Sequence, residues 1–388
     1  MDRDRRITVR LDFSKTLTVL DRGFAGDEHI TSKILPDIEL RFKGFNIHQL
    51  GDFRRWLEGD GGDKLTLLPI HARPYHQVVY QNTSTIMPLQ TYHHASSVKG
   101  LSSITTLIVG ASESILIDPP FLIPDALSVV GWIKETTSNP LKAVFVTHHH
   151  PDHFFSANPI LDAFPSAKFY AAPYVLEGIN REYDDKVKYW PTVFGHENVP
   201  EAPKKPEEFN FSFFLLNGNP ESPVVLLGPL QGDSVDHTIF WLPTEKTVVC
   251  GDTIYGRSTH VWVEEVETPA LLEAWNKTIA LISALEPAKV IPGHLEPGWE
   301  LDAKADIAHT QKYLHLFAEK VTYAQTKPQV QDLFDFFKDA FPQCQQNLDF
   351  FLGHLSNQFG EGGKVWEENR HHDVGKRTIE GLTGYWFK

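Results

Sequence analysis

The sequence predicts an α/β fold, and three observations carry that expectation. From residue 101 onward, apolar strand-like runs alternate with segments of helical periodicity. The residues able to do chemistry stand where those runs begin or end. The chain has 388 residues, 41% of them hydrophobic, which suffices for a sizeable core in one large domain or two modest ones. Such alternation suggests an α/β sandwich with its functional residues on loops that follow strands.

Residues 1–87 mix short strand-like runs, "ITVRL" and "IELRF", with turn-forming residues, and Gly59-Asp60-Gly61-Gly62-Asp63 gives the clearest loop. They are expected to form an N-terminal extension that wraps the core or makes a homo-oligomer interface; the sequence leaves both open. The core is expected over residues 88–300. In it "SITTLIVGA" and "SILIDP" read as strands, Asp125 to Thr136 as a helix, and "KAVFVT" as a strand. Asn158-Pro159 has the form of an N-cap and first helical residue, and Thr268-Pro269 repeats that signal. The helix after Thr268 carries Leu272, Trp275, Ile279, Ile282 and Leu285 at intervals of three or four, a stripe that belongs in the core. Residues 301–388 read as mostly helical and complete the same domain, with Ile307, Leu314, Phe317 and Val321 on one face. The phenylalanines of "DLFDFFKDAF" and "LDFFLGHL" suit a buried helical cap or the lining of a substrate mouth.

The net charge of -14 argues against a nucleic-acid partner, which needs concentrated Lys and Arg. Two cysteines, Cys250 and Cys344, give no disulfide framework and suit a reducing compartment. The charged start "MDRDRRITVRLDF" is unlike a signal peptide, and no segment approaches the roughly 20 apolar residues of a membrane span. The expectation is a soluble cytoplasmic protein whose partner is a small-molecule substrate, with neither membrane nor nucleic acid involved.

The chemistry concentrates in Thr147-His148-His149-His150-Pro151-Asp152-His153, directly after an apolar run. Histidines two residues apart past a strand end can aim neutral imidazoles at one ion, and the next Asp and His can serve a second ion about 3.5–4 Å away. His149 is expected to point elsewhere, because successive side chains alternate. A solvated polar turn is the competing reading. Against it stand His237 in "GDSVDHTIFWLP", Asp252 closing "TVVCGD" and His294 closing "AKVIPGH", all at the edges of apolar runs. The His371-His372 pair reads as an exposed tail feature.

Together, an HxHxDH block, a distant His followed by Thr, an Asp ending a hydrophobic strand and a last His after Pro-Gly resemble the metallo-β-lactamase superfamily. The likeness spans roughly residues 88 to 300. It implies an αβ/βα four-layer sandwich in which His148, His150 and His237 hold a first metal and Asp152, His153 and His294 a second, with Asp252 bridging. By the same resemblance Asp118 in "SILIDPP" supports the ligand loop without touching metal. There is one departure. Relatives often have Gly-His-x-x-Gly-His-Thr around the third His, whereas this chain has Gly232-Asp233-Ser234-Val235-Asp236-His237-Thr238, so two acidic residues precede the ligand.

The resemblance implies a hydrolase with two zinc ions, although His and carboxylate ligands also accept iron, manganese or cobalt. A metal-bound hydroxide would attack a carbonyl, with Asp152 passing the proton to the leaving group. Tyr255, three residues after Asp252, has an offset shared with N-acyl homoserine lactonases, where the phenol helps hold the substrate carbonyl or leaving group; a packed Tyr is the other reading. Lactonases and the fungal γ-lactamases that detoxify benzoxazolinones resemble this chain, so the expected reaction opens a small cyclic ester, lactam or cyclic carbamate. The alternatives are a glyoxalase II-like thioesterase, for which no strongly basic patch is evident, and a mononuclear iron oxidoreductase, which needs only part of the seven-residue ligand set present here. Tyr183, Tyr189, Trp190, Phe194 and His196, on an expected loop, and His260 and Trp262 further on, would either contact a ring-bearing substrate or pack the surface.

Overall fold

A computed structural model describes residues 88–365 apart from His354. The extension over residues 1–87 and the His371-His372 pair therefore lie outside the described residues. One sheet runs in the order β1 (Gln90–Ala95), β2 (Ile104–Val109), β3 (Ser114–Ile117), β4 (Leu141–Val146), β5 (Lys168–Ala171), β6 (Glu207–Glu208). It is antiparallel across β1, β2 and β3 and parallel from β3 to β6. The second sheet contains β7 (Phe213–Phe214), β8 (Val224–Leu230), β9 (His237–Leu242), β10 (Thr247–Gly251) and β11 (Lys289–Pro292), in the order β11-β10-β9-β8-β7.

Alternation along the strands builds the layers. In β2, Ile104 and Ile108 meet Val224, Phe240, Val249 and Ile291 of the opposing sheet, while Leu107 and Val109 turn outward. Their outer face is covered by α1 (Ile123–Thr136), α2 (Ala157–Ala163) and α3 (Pro173–Phe194). The other sheet turns Ile239, Val248 and Val290 toward α4 (Pro269–Ala284), α5 (Ala303–Phe317), α6 (Val330–Ala340) and α7 (Leu348–Phe351). Strands buried on both faces read as continuous apolar runs, which is why "TTLIV" and "TVVCG" lack polar alternation. The result is the αβ/βα four-layer sandwich.

Helix ends follow the local chemistry. The Thr268 hydroxyl accepts from Leu271 N at 3.2 Å ahead of Pro269, and Asp302 accepts from Ala305 N at 3.0 Å, so α4 and α5 start where side-chain caps permit. The expected start at Asn158 is displaced: α2 begins at Ala157 with Ser156 at the N-cap. Asn158 instead braces a neighbouring loop, donating to Ala202 O at 3.0 Å and accepting from Lys204 N at 2.8 Å. The segment bearing Tyr183, Tyr189, Trp190 and Phe194 is not a loop but the single 22-residue helix α3. Among the described residues, no helix is long and apolar enough to cross a membrane.

Two contacts close the sandwich at one edge. Thr238 N donates to Thr147 O at 2.8 Å, and Ile104 N donates to Gly293 O at 2.7 Å. They join the ends of β4 and β11 to the opposite sheet, and the ligand-type residues gather there.

Candidate metal centre

Each expected donor sits at a strand boundary on that edge. His148 to His153 follow β4, with Pro151–His153 forming a single 3-10 turn; His237 opens β9, Asp252 follows β10 and His294 follows β11. All are buried. Asp152, His153 and His294 form one group whose donor atoms lie within 4.8 Å of each other, and His148, His150, Asp252 and the unforeseen Asp233 form another.

In the first of these groups, His153 Nε2 stands 3.1 Å from Asp252 Oδ1 and 3.6 Å from Asp152 Oδ2. His294 Nε2 lies 3.0 Å from Asp252 Oδ2 and 3.3 Å from Asp152 Oδ2. Donors at about 2.1 Å around a tetrahedral ion are roughly 3.4 Å apart, so these spacings suit a shared cation. In the other group, the Asp233 carboxylate lies 3.1 Å from His150 Nδ1 and 3.8 Å from His148 Nε2; the expected ligand His237 is not one of that group's four donors, although its Nε2 lies 3.1 Å from the same carboxylate. The His148 and His237 rings stack with centroids 4.1 Å apart and planes at 14°. His148 Nε2, wholly buried, makes no hydrogen bond, as a ring nitrogen reserved for a metal would not. On these counts the residues fit divalent metal.

The far sides of the rings are fixed. Asp118, in a left-handed conformation at φ 59°, accepts from Thr147 N and Thr147 Oγ1, each at 2.8 Å, and its Oδ2 lies 3.0 Å from His153 Nδ1. That is the expected supporting role: it pins the loop and leaves Nε2 of His153 facing inward. His294 Nδ1 is held by Leu101 O at 2.8 Å, and His150 Nε2 by Glu265 Oε1 at 2.8 Å. His149 does turn away, toward Glu182 Oε1 at 3.3 Å, and burial pushes its pKa down to about 4.

Charge is strongly organised here. Burial would raise the Asp252 carboxyl, but His294 and His153 hold it well below the usual range. Burial works against a charged His150, yet Asp233 and Glu265 outweigh it and raise its pKa to about 10. His148, desolvated beside His237 and His153, is driven well below its ordinary value and stays neutral. Ions entering the site therefore compete with protons at His150.

Tyr255 is fully buried, and its hydroxyl donates to Asp252 Oδ2 at 2.5 Å and faces Asp233 Oδ2 at 2.9 Å. A pocket opens over Asp152, Asp252, Tyr255 and His294, walled by Phe121, Trp190, Trp262, Phe350 and Phe351, with Glu182, Lys186 and Glu265 on its polar side. Of the aromatic residues expected either to contact a substrate or to pack the surface, Trp190 and Trp262 line this pocket. Helix α7, which brings Phe350 and Phe351, is anchored by Asn347 Nδ2 donating to Val98 O at 2.9 Å. His260 instead packs on Tyr313 and Phe341. Sequence reasoning did not foresee Glu265 as a partner of His150, nor the central position of Asp233; the only signal was the acidic departure from the Gly-His-x-x-Gly-His-Thr pattern.

An α/β sandwich with buried His/Asp groups at one edge has the donors of a metal-binding protein. The chain belongs to the metallo-β-lactamase superfamily, whose family model matches residues 99–294. Membership and the donor groups together indicate a metal-dependent hydrolase. Solved structures similar to it include the metallo-β-lactamase IND-7, 21% identical with a TM-score of 0.43, covering 59% of this chain and 94% of that one. The DIM-1 metallo-β-lactamase is 19% identical with a TM-score of 0.40, covering 59% and 98%. A metallo-β-lactamase from Pontibacter korlensis is 16% identical with a TM-score of 0.39, covering 58% and 94%. No curated protein matches the chain.

Proposed function

We propose that the protein hydrolyses a small cyclic ester, lactam or cyclic carbamate with two zinc ions, held by His148, His150 and His237 on one side and Asp152, His153 and His294 on the other, with Asp252 between. The observation that carries this reading is a pocket whose floor is the donor cluster and whose walls are aromatic. Divalent ions, when bound there, would supply polarisation of a carbonyl and acidification of water.

The remaining steps fall to side chains. Flat indole and phenyl faces at Trp190, Trp262 and Phe350 suit a ring-shaped substrate and exclude bulk water from the reacting carbonyl. Asp152, on the pocket floor with Oδ2 3.3 Å from His294 Nε2, accepts the proton of the attacking water and returns it to the leaving oxygen or nitrogen. Burial first, then Asp233 and Asp252, raises the Tyr255 pKa well above its ordinary value, so the phenol remains a donor at any working pH. It orients Asp252 and can hydrogen-bond the carbonyl or the leaving group.

The test is metal analysis of purified protein followed by a turnover screen of lactones, lactams, cyclic carbamates and thioesters. About two zinc ions per chain with cyclic substrates turned over is the expected result. Preference for acyclic thioesters would replace the reading with a thioesterase, and one iron with oxygen-dependent turnover would replace it with an oxidoreductase.

A further inference from the structure

We infer that Asp233 is itself a ligand of the ion held by His148, His150 and His237, an eighth protein donor in a site that otherwise has seven. The inference rests on the two-metal reading above and extends it.

His150 Nε2 is committed to Glu265 Oε1 at 2.8 Å, so only Nδ1 can face an ion. Asp233 Oδ2 stands 3.1 Å from that Nδ1. His148 points its hydrogen-bond-free Nε2 at Asp233 Oδ1 from 3.8 Å, and His237 Nε2 lies 3.1 Å from the same oxygen while also standing 2.9 Å from Ser234 Oγ. Three imidazoles on two elements thus surround one carboxylate, with His150 Nδ1 and His148 Nε2 the nitrogens left to face an ion beside it. A carboxylate that merely oriented these rings would sit on their far sides, as Asp118 and Glu265 do. Asp233 sits on the near side, at spacings close to the roughly 3.4 Å edge of a tetrahedron of ligands around zinc.

The surroundings keep it there. Asp233 N donates to Asp252 O at 3.3 Å, tying the two carboxylate-bearing loops together. The Tyr255 hydroxyl lies between Asp233 Oδ2 and Asp252 Oδ2, at 2.9 and 2.5 Å, so one phenol spans the carboxylates of both ions. Asp233 is 1% exposed, which leaves no solvent to balance its charge. A carboxylate oxygen added to three imidazoles also makes the site harder, so it should hold manganese or iron better relative to zinc than an all-imidazole site does.

Equilibrium competition of the metal-free protein with a chelator for Zn(II) and Mn(II), together with the visible spectrum of the Co(II)-loaded form, tests this in Asp233→Asn and Asp233→Ser. The expected result is two ions in the unaltered protein. In both variants the affinity for one ion falls at least tenfold, the Co(II) bands of that site shift, and Mn(II) weakens more than Zn(II). Asp236→Asn removes a nearby charge and should bind as the unaltered protein does. Variants at position 233 that keep both affinities within twofold, with an unchanged Co(II) spectrum, would overturn the inference. Unaltered protein that binds no divalent ion would instead overturn the two-metal reading, and Asp233 ligation with it.

Discussion

The ring of Tyr255 lies parallel to that of His294, with centroids 5.0 Å apart and planes at 6°, so a phenol and a metal-type imidazole form one stack. The stack fixes where the hydroxyl points, and it points at Asp252. Tyr255→Phe keeps the stack and deletes the donor. Two buried carboxylates then lose a hydrogen bond, which should cost about 1–3 kcal/mol of stability. If the phenol also serves the reaction, kcat falls at least tenfold while metal content stays at the unaltered level. Steady-state kinetics alongside metal analysis checks this, and unchanged turnover would reduce Tyr255 to a packing residue.

Asp118 acts through the groups it holds. Asp118→Asn retains the shape but cannot accept from Thr147 N, Thr147 Oγ1 and His153 Nδ1 with a full charge. Metal affinity should drop by about 10–100-fold, the usual range for supporting partners of a metal-binding His. Chelator competition measures it, and added metal should restore most of the activity.

Gly293 is required by contact rather than by conformation. A Cβ there would lie 1.7 Å from Asp252 Oδ1 and 2.7 Å from the Gly251 backbone carbon, so even alanine must displace the Asp252 carboxylate. Gly293→Ala is expected to lose bound metal and nearly all turnover. Gly298→Ala, where a Cβ meets nothing within 4 Å, isolates the effect of losing a glycine; its φ of +86° predicts a modest stability loss without metal loss.

Direct removal of donors gives the bluntest outcome. His150→Ala or Asp252→Ala should abolish turnover and leave the far-UV circular dichroism of the sandwich intact, because both residues lie outside the strands. Normal activity in either variant would contradict the assignment of the site.

Acid sensitivity should come partly from outside the metal centre. Burial pushes His260 and His309 down to about 4, against an ordinary value of 6.5. Above pH 6.5 both are neutral whether the chain is folded or not, and their environment costs nothing. As pH falls from 6.5 toward 4, the unfolded chain takes up protons that the folded chain refuses, so stability declines across that window. Thermal unfolding of the metal-free protein from pH 7.5 to 4 should show the decline. His309→Gln should flatten it, at the expense of a lower midpoint at neutral pH.

The strand-end donors could be read from the sequence because each ligand-type residue stands at the edge of an apolar run, and such edges survive folding as the rim of a sheet. Asp118 was legible for the same reason. Asp233 and Glu265 were not, because their relation to His150 is set by loops 83 and 115 positions away in the chain, beyond any local pattern. Helix α3 was not legible as one, because its aromatic residues suit a loop over the site equally well. The helix tolerates Pro191 four residues from its end, and Tyr183, Trp190 and Phe194 all pack against the same core. The start of α2 failed more narrowly: Asn158 has the side chain of a cap but spends it on residues 202 and 204.

Phe350 and Phe351 reach the pocket from well past residue 294, where the family match ends, on a short helix moored to the loop ahead of β2. The pocket wall is therefore assembled from two stretches of polypeptide, with Phe121, Trp190 and Trp262 inside the matched region and Phe350 and Phe351 beyond it. Phe350 packs on Trp190 and Trp262, whereas Phe351 packs on His294 and Tyr255. That makes position 350 the place to begin when reshaping the wall.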